Sequence, residues 1–336
     1  MPQIRVATYN LYLGADLSPL FGAADTDGLA DAVARVRAQL DATRFEERAS
    51  AVARLLARER PDLVGLQEVS RWTSVPVVDG SSGPEQVTVD FLPTLLGALD
   101  DIGCPYDAHV VNENFAGALP VSDDEWVGLV GANVTLVRRD AGVEVVAEAT
   151  ATYATGYDVV TGIDGVTFPV ARSWGRVDVR VGAVPLRFVN THTEAYDAHT
   201  RDAQRDECLA ANGDVDGAVV VVGDFNTTPD LVGVPAPWVD AWVAGEGDGF
   251  TFGQDGDLAN ADSGMRERID YVWLRGADPR RTRTLGDRPA DRTVPHRLWP
   301  SDHAAVVSDL HLTDYPSVGR VVRVIWQVPA APEPAK

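Results

Sequence analysis

The chain has 336 residues, 45% of them hydrophobic and 24% charged, and its 29 basic against 50 acidic side chains leave a formal net charge of −21. That composition excludes collagen-like, low-complexity and largely disordered chains. The acidic excess, which a salt-adapted protein would also carry, disfavours broad electrostatic attraction to nucleic acid or an anionic membrane.

The length allows either two domains or one large α/β domain. In chain order, Ile4–Thr8 reads as a buried strand, with none of the charged-then-apolar pattern of a signal peptide before it. Asp31–Leu40 carries Val33, Val36 and Leu40 at helical spacing. Phe45–Arg60 places Phe45, Ala49, Val52, Leu55 and Leu56 on one face, and Pro61 ends it. Leu63–Leu66 is a second buried strand, Ser74–Gly83 a polar surface loop, and Phe91–Leu99 an apolar helix stopped at Gly103. Strands follow at Val134–Arg138, Val143–Ala147, Arg176–Val181 and Pro185–Val189, then a polar helix at Arg201–Ala211.

The four valines Val219–Val222 make a strand buried on both faces. Tyr271–Leu274 and Ala304–Leu310 complete the strands, Val318–Val328 adds a candidate edge strand, and Pro329–Lys336 reads as a frayed tail. The pattern predicts two packed mixed sheets flanked by helices. The organisation expected is one domain over residues 1–312 with a C-terminal extension over 313–336. Cys104 and Cys208 are too few for a disulfide framework or a zinc cage and read as free thiols. No stretch approaches the ~20 apolar residues of a membrane span. A cytoplasmic protein is therefore expected.

Chemistry concentrates where the apolar runs stop. The first strand ends in Thr8-Tyr9-Asn10, the second in Gln67-Glu68, a later one in Asn190-Thr191-His192, and the valine strand in Gly223-Asp224-Phe225-Asn226. Arg268-Ile269-Asp270 enters one strand and Ser301-Asp302-His303 another. These six ends supply three Asp, one Glu, three Asn and two His, an inventory suited to a hard cation with oxygen ligands plus acid–base groups. It does not suit a thiolate metal site or a serine nucleophile. Singly, each has a plain reading as a turn former or strand-edge charge. Glu68 stands out because a carboxylate ending a buried strand is costly unless paired or metal-bound. Asp224 and Asn226, two apart in an extended segment, face the same way.

In this order and spread over residues 4–310, the motifs resemble the endonuclease/exonuclease/phosphatase superfamily, with its deoxyribonuclease I-like fold. Gly249-Phe250-Thr251-Phe252 matches a further family segment. The resemblance implies a four-layered α-β-β-α sandwich and a divalent-metal phosphoesterase. By motif matching it makes Glu68 the principal Mg²⁺ ligand, with Asn10 beside it and Asp302 assisting directly or through water; Mn²⁺ is an alternative ion. It assigns Asp224 and Asn226 to the attacking water and a phosphate oxygen, and His303 with Asp270 to a general acid–base dyad. His192 would bind or protonate the phosphate. Asn133 resembles a second-layer family residue, while Arg172 and Arg268 are candidate substrate contacts. His109, His199, His296 and His311 match no motif.

The reaction expected is in-line attack by water on a phosphoester. Family prevalence puts a nuclease first and a phosphatase or phosphodiesterase on a small or lipid-derived phosphoester second, sphingomyelinase-like or inositol-phosphatase-like. A catalytically inactive interaction module is the third reading. No obligate protein partner is implied.

Overall fold

In the computed structural model, residues 1–79, 81–163 and 167–313 are described. The chain opens with β1 (Gln3–Asn10), a short α1 (Ser18–Phe21), α2 (Thr26–Thr43) and α3 (Phe45–Glu59). The Asp25 carboxylate caps α2 by accepting from the Gly28 amide at 2.8 Å, so this helix starts earlier than its hydrophobic spacing alone indicates. Arg44, in the left-handed region at φ 45°, breaks the path between α2 and α3.

β2 (Leu63–Val78), β3 (Ser81–Ser82) and β4 (Gln86–Asp90) follow, then α4 (Phe91–Asp101). Here the sequence reading needs correction. Ser74–Val78 is not loop but the far end of β2, where it pairs with β3, β4 and the later β6. Ladder pairing satisfies its backbone and overrides a Ser- and Pro-containing composition. The long hairpin β5 (Tyr106–Ser122) and β6 (Glu125–Arg138) leads to β7 (Val143–Thr152) and a small two-stranded pair, β8 (Tyr157–Val160) with β9 (Thr167–Val170). The remainder is β10 (Ser173–Val181), β11 (Val184–His192), α5 (Ala198–Gly213), β12 (Ala218–Asp224), α6 (Pro229–Val232), β13 (Val239–Asp240), β14 (Asp270–Arg275), β15 (Ala277–Leu285) and β16 (Ala305–Leu312). The candidate edge strand at Val318–Val328 lies outside the described residues.

Two sheets result. One runs β15-β16-β1-β2-β6-β5, with β3 and β4 on β2; the other runs β13-β14-β12-β11-β10-β7. Alternation along the strands builds three apolar layers. Val6, Val220, Val222, Val272 and Leu310 meet between the sheets. Val219, Val221 and Trp273 face Cys208 and Leu209 of α5 on one outer side. Val64, Leu66, Val134 and Ala305 pack on the other side with Val36, Val52 and Leu95 of α2, α3 and α4. The architecture is the α-β-β-α sandwich, and the valine strand is covered on both faces because it is central in its sheet and under a helix. Gly65 lets the sheets approach: a Cβ there would lie 2.6 Å from Val222 and 2.8 Å from Asn190.

Strand direction places the site. β1 runs parallel to β2 with Asn10 opposite Gln67, and β11 runs parallel to β12 with His192 opposite Asp224. β14 is antiparallel to β12, so its first residue, Asp270, stands opposite Asp224. Strand ends from both sheets therefore meet at one rim of the sandwich.

Candidate active site

A buried polar bridge holds the two sheets in register behind that rim. Gln67 Nε2 donates to Asn190 Oδ1 at 2.6 Å and to Thr8 Oγ1 at 3.0 Å. Asn190 Nδ2 in turn donates to the carbonyls of Leu66 and Val134 at 3.0 and 3.1 Å. With its polar atoms paired, this cross-sheet network fixes the spacing of the strand ends rather than penalising the core.

Glu68 sits just beyond it, where the β2–β6 register shifts between Leu66 and Val69 and its own backbone takes φ 56°. A bulge with a left-handed non-glycine residue is strained, and such strain serves to re-aim a side chain. Glu68 Oε1 accepts from Asn10 Nδ2 at 3.1 Å and Oε2 from the Leu13 amide at 2.8 Å. The same Asn10 amide donates to Asp224 Oδ2 at 3.0 Å, bridging carboxylates from both sheets. Asp224 Oδ1 accepts from the Asn226 amide at 2.9 Å, with Asn226 also left-handed at φ 49°.

His303 donates from Nδ1 to Asp270 Oδ2 at 2.8 Å, and its Nε2 lies 3.7 Å from Asp224 Oδ2 and 3.9 Å from Asp302 Oδ1. Thr251 Oγ1 accepts from the Ile269 and Asp270 amides, both at 3.1 Å, and the Thr251 carbonyl accepts from the Ala304 amide at 2.7 Å. This ties together the two segments that carry the pair. On the other side, His192 Nδ1 lies 3.2 Å from Arg172 Nη1, and Nε2 lies 3.4 Å from Asp224 Oδ2 and 3.0 Å from Asn226 Nδ2. Arg172 and the Asn226 side-chain amide are both donors, one facing each ring nitrogen, so they compete for the single acceptor of a neutral imidazole.

Burial and neighbouring charge drive these groups apart in acidity. Burial pushes Asp302 up to about 7, aided by the negative charges of Glu68 and Asp224 and opposed by His303 and Arg48. Burial and Asp270 raise Asp224 to about 6, against the pull of His303. For His303 burial disfavours the imidazolium, but Asp270, Asp302 and Asp224 outweigh it and hold the ring well above its ordinary value. Burial, Arg172 and His303 hold His192 well below its ordinary value. Two histidines in one cluster are thus shifted in opposite directions, His303 towards the imidazolium and His192 towards the neutral ring. A lowered proton affinity favours the binding role implied for His192 over the protonating one.

The donor set suits a divalent cation. Glu68, Asp224 and Asp302 crowd their negative charges together, and their repulsion, which a cation would relieve, adds to the burial that raises Asp302. All the donors around Glu68 are oxygens or amides, which matches Mg²⁺ or Mn²⁺. A second grouping, Asp224, Asp270 and His303, has ligand atoms all within 4.8 Å of one another. The His303–Asp270 hydrogen bond already engages two of its members.

Of the eleven sequence candidates, the eight from Asn10 to His303 named above converge, with Arg172 beside them. Asn133 is fully buried, donating to the Ser173 carbonyl at 3.3 Å, and lies behind the site rather than on the cavity. Arg268 is a correction. It pairs with Asp240 at 2.6 Å and lies over the Tyr271 ring, away from the cavity lining, because the adjacent carboxylate and aromatic faces capture its guanidinium. Arg48 was not singled out, though it interrupts the apolar face of α3. Fully buried, it donates to the carbonyls of Leu11, Tyr12, Thr43 and Pro300 and thereby anchors the loops after Asn10 and before Asp302.

The cluster forms one wall of a cavity of about 660 Å³. Glu68, Asp224, Asp302, His192, His303 and Arg172 line that wall. Among the described lining residues Arg172 is the single arginine or lysine, and Glu194 lies 3.6 Å from its Nε.

Fold and site define a class of phosphoester-cleaving proteins, and the comparisons agree: the profile of the endonuclease/exonuclease/phosphatase family matches residues 7–303, so the chain belongs to that family. Solved structures of similar fold include an endonuclease/exonuclease/phosphatase family protein from Bacteroides thetaiotaomicron, 18% identical with TM-score 0.57, covering 94% of this chain and 100% of that one. A mannosyl-6-phosphatase from B. thetaiotaomicron is 16% identical with TM-score 0.55, covering 92% and 100%. TDP2 from Caenorhabditis elegans is 19% identical with TM-score 0.52, covering 92% and 75%. No curated protein matches the chain. Members of the family are hydrolases of phosphoester bonds and are generally dependent on divalent metal.

Proposed function

We propose that this protein is a divalent-metal-dependent hydrolase that cleaves a phosphoester by in-line attack of water. The observation that carries the proposal is the meeting, on one cavity, of Glu68, Asp224 and Asp302 with His192 and His303, whose proton affinities are shifted in opposite directions, and with Asn10 bridging Glu68 and Asp224 behind them. Asn10, Glu68 and Asp302 would hold the cation, with Mg²⁺ preferred and Mn²⁺ as substitute, and it would neutralise charge developing on the phosphoryl oxygens. Asp224, positioned by the Asn10 side chain and the Asn226 amide, orients the water and draws its proton. His303, whose imidazolium is favoured by Asp270, donates its proton to the departing ester oxygen as the P–O bond breaks, so the alcohol leaves neutral. His192 binds a phosphoryl oxygen, with Arg172 supplying positive charge beside it.

Among substrates, the cavity favours a compact phosphoester over a polynucleotide. Nucleases draw affinity from several basic contacts to successive phosphates, whereas one already paired arginine lines this cavity in a chain of net charge −21. The nuclease reading stands second, supported by family membership. A panel of bis(4-nitrophenyl) phosphate, 4-nitrophenyl phosphate, single- and double-stranded DNA and RNA, with Mg²⁺ or with EDTA, tests both. Mg²⁺-dependent cleavage of the nitrophenyl esters, at rates that vary little with ionic strength, is expected. Preferred cleavage of DNA or RNA with a steep salt dependence would reverse the order, and inactivity on every substrate would overturn the proposal.

A further inference from the structure

Besides the catalytic cluster, the cavity lining holds a group of apolar side chains. Leu17 and Phe21 of the α1 region, Phe115 and Leu119 of β5, and Phe168 of β9 all belong to it, and each is only half-buried. Phe21 packs against Phe168 at a ring separation of 5.8 Å and edge-on to Tyr196 at 5.6 Å. These aromatics come from three separate parts of the chain and meet next to Arg172, two residues beyond the end of β9. Such a surface inside a cavity of about 660 Å³, the size that encloses small organic ligands, retains apolar area that an occupant would remove from water.

We infer that the substrate's phosphate is esterified to an apolar alcohol, aliphatic or aromatic, which lies against Leu17, Phe21, Phe115, Leu119 and Phe168 while the phosphate faces Glu68 and His192. This rests on the phosphoesterase reading and narrows it. Three observations select an apolar group over a sugar or a nucleotide chain. The cavity continues without interruption from the charged cluster to the apolar wall, so one molecule spans both. A sugar's hydroxyls placed against these five side chains would lose water without gaining partners from them, the polar lining residues Asp16, Ser70, Asn114 and Gln254 lying outside this group. A second phosphate would meet no cation there, since Arg172, the single arginine or lysine among the described lining residues, sits at the catalytic end. The wall lies in a cavity continuous with the site, rather than in a shallow exposed patch, which is where specificity for the organic half of a phosphoester is set.

Non-hydrolysable phosphonates test the inference apart from turnover. Methyl-, butyl-, octyl- and phenylphosphonate, with glycerol 3-phosphate as a hydroxylated control, are titrated calorimetrically into the full chain in Mg²⁺. Affinity is expected to tighten about two- to fourfold for each methylene added while the tail still finds apolar wall. Phenylphosphonate should bind at least tenfold more tightly than methylphosphonate. Continued gain to octyl identifies a hydrocarbon chain as the natural group; a plateau after butyl with tight phenyl binding identifies a ring. Leu119→Asp should flatten the dependence on tail length, and Leu119→Met, keeping the wall apolar, should restore it. Equal affinity across the series, or preference for glycerol 3-phosphate over butylphosphonate, overturns the apolar substrate while leaving the phosphoesterase reading intact. Absence of binding by every phosphonate, methylphosphonate included, overturns both.

Discussion

Each residue of the proposed mechanism is set by one or two partners, and removing a partner is more informative than removing the residue. His303 owes its raised proton affinity to carboxylates that overcome burial, Asp270 foremost. His303→Ala is expected to lower kcat by about 10²–10⁴-fold, the range for general acid–base groups, while Mg²⁺ affinity changes little. Asp270→Asn keeps the shape but removes the charge, so it should lower kcat and shift the alkaline limb of the pH–rate profile downward. Stopped assays of kcat across pH check both; full activity in His303→Ala would remove the pair from the mechanism. The eight site residues were legible because each terminates or begins an apolar run, where a strand end aims a side chain at the rim. Arg48 was not, because its four carbonyl partners come from segments up to 252 positions away. Arg268 misled for the reverse reason: nothing local to Arg-Ile-Asp shows Asp240 or the Tyr271 ring waiting for it.

At the scale of elements, the central strands and part of the edge strand β7 were legible, whereas β5 and β15 were not. Val219–Val222 lies between two covered faces, so burial writes itself as an unbroken apolar run. β15 lies at a sheet edge, and its Arg280, Arg281 and Arg283 keep charge in a segment whose extended form is set by pairing with β16. The β5–β6 hairpin mixes glycine, asparagine and acidic residues over its exposed half, and 14 register pairs hold it where local propensity does not. Gly65 shows how closely the elements depend on one another. Gly65→Ala forces Val222 or Asn190 to move, in the polar bridge directly behind the site. A loss of about 1–3 kcal/mol of stability is expected, typical of overpacking a core, and chemical denaturation of the variant measures it. An unchanged unfolding midpoint would mean that the sheets have slack at this point.

For the molecule as a whole, the site costs stability that the cation is expected to restore. Asp224 and Asp302 have folded-state values raised to about 6 and about 7, above their ordinary carboxylate range, so between about pH 4 and pH 7 the folded chain binds more protons than the unfolded one. His303, raised above its ordinary value, extends the same imbalance to higher pH. Stability from these groups therefore falls as pH rises through that window. In EDTA, the site's contribution to Tm should decline from pH 5.5 to pH 8. Mg²⁺, which requires the deprotonated carboxylates, should raise Tm more at pH 8 than at pH 5.5. Thermal melts of wild type and of Asp302→Asn at both pH values separate this contribution from the rest of an acidic surface.

The account depends on a cation held by oxygen donors of both sheets, and calorimetric titration of Mg²⁺ and Mn²⁺ into the metal-free full chain tests it most directly. One saturable site is predicted for wild type, weakened at least tenfold in Glu68→Gln. No binding to wild type with methylphosphonate present, or equal binding to the two proteins, would contradict it.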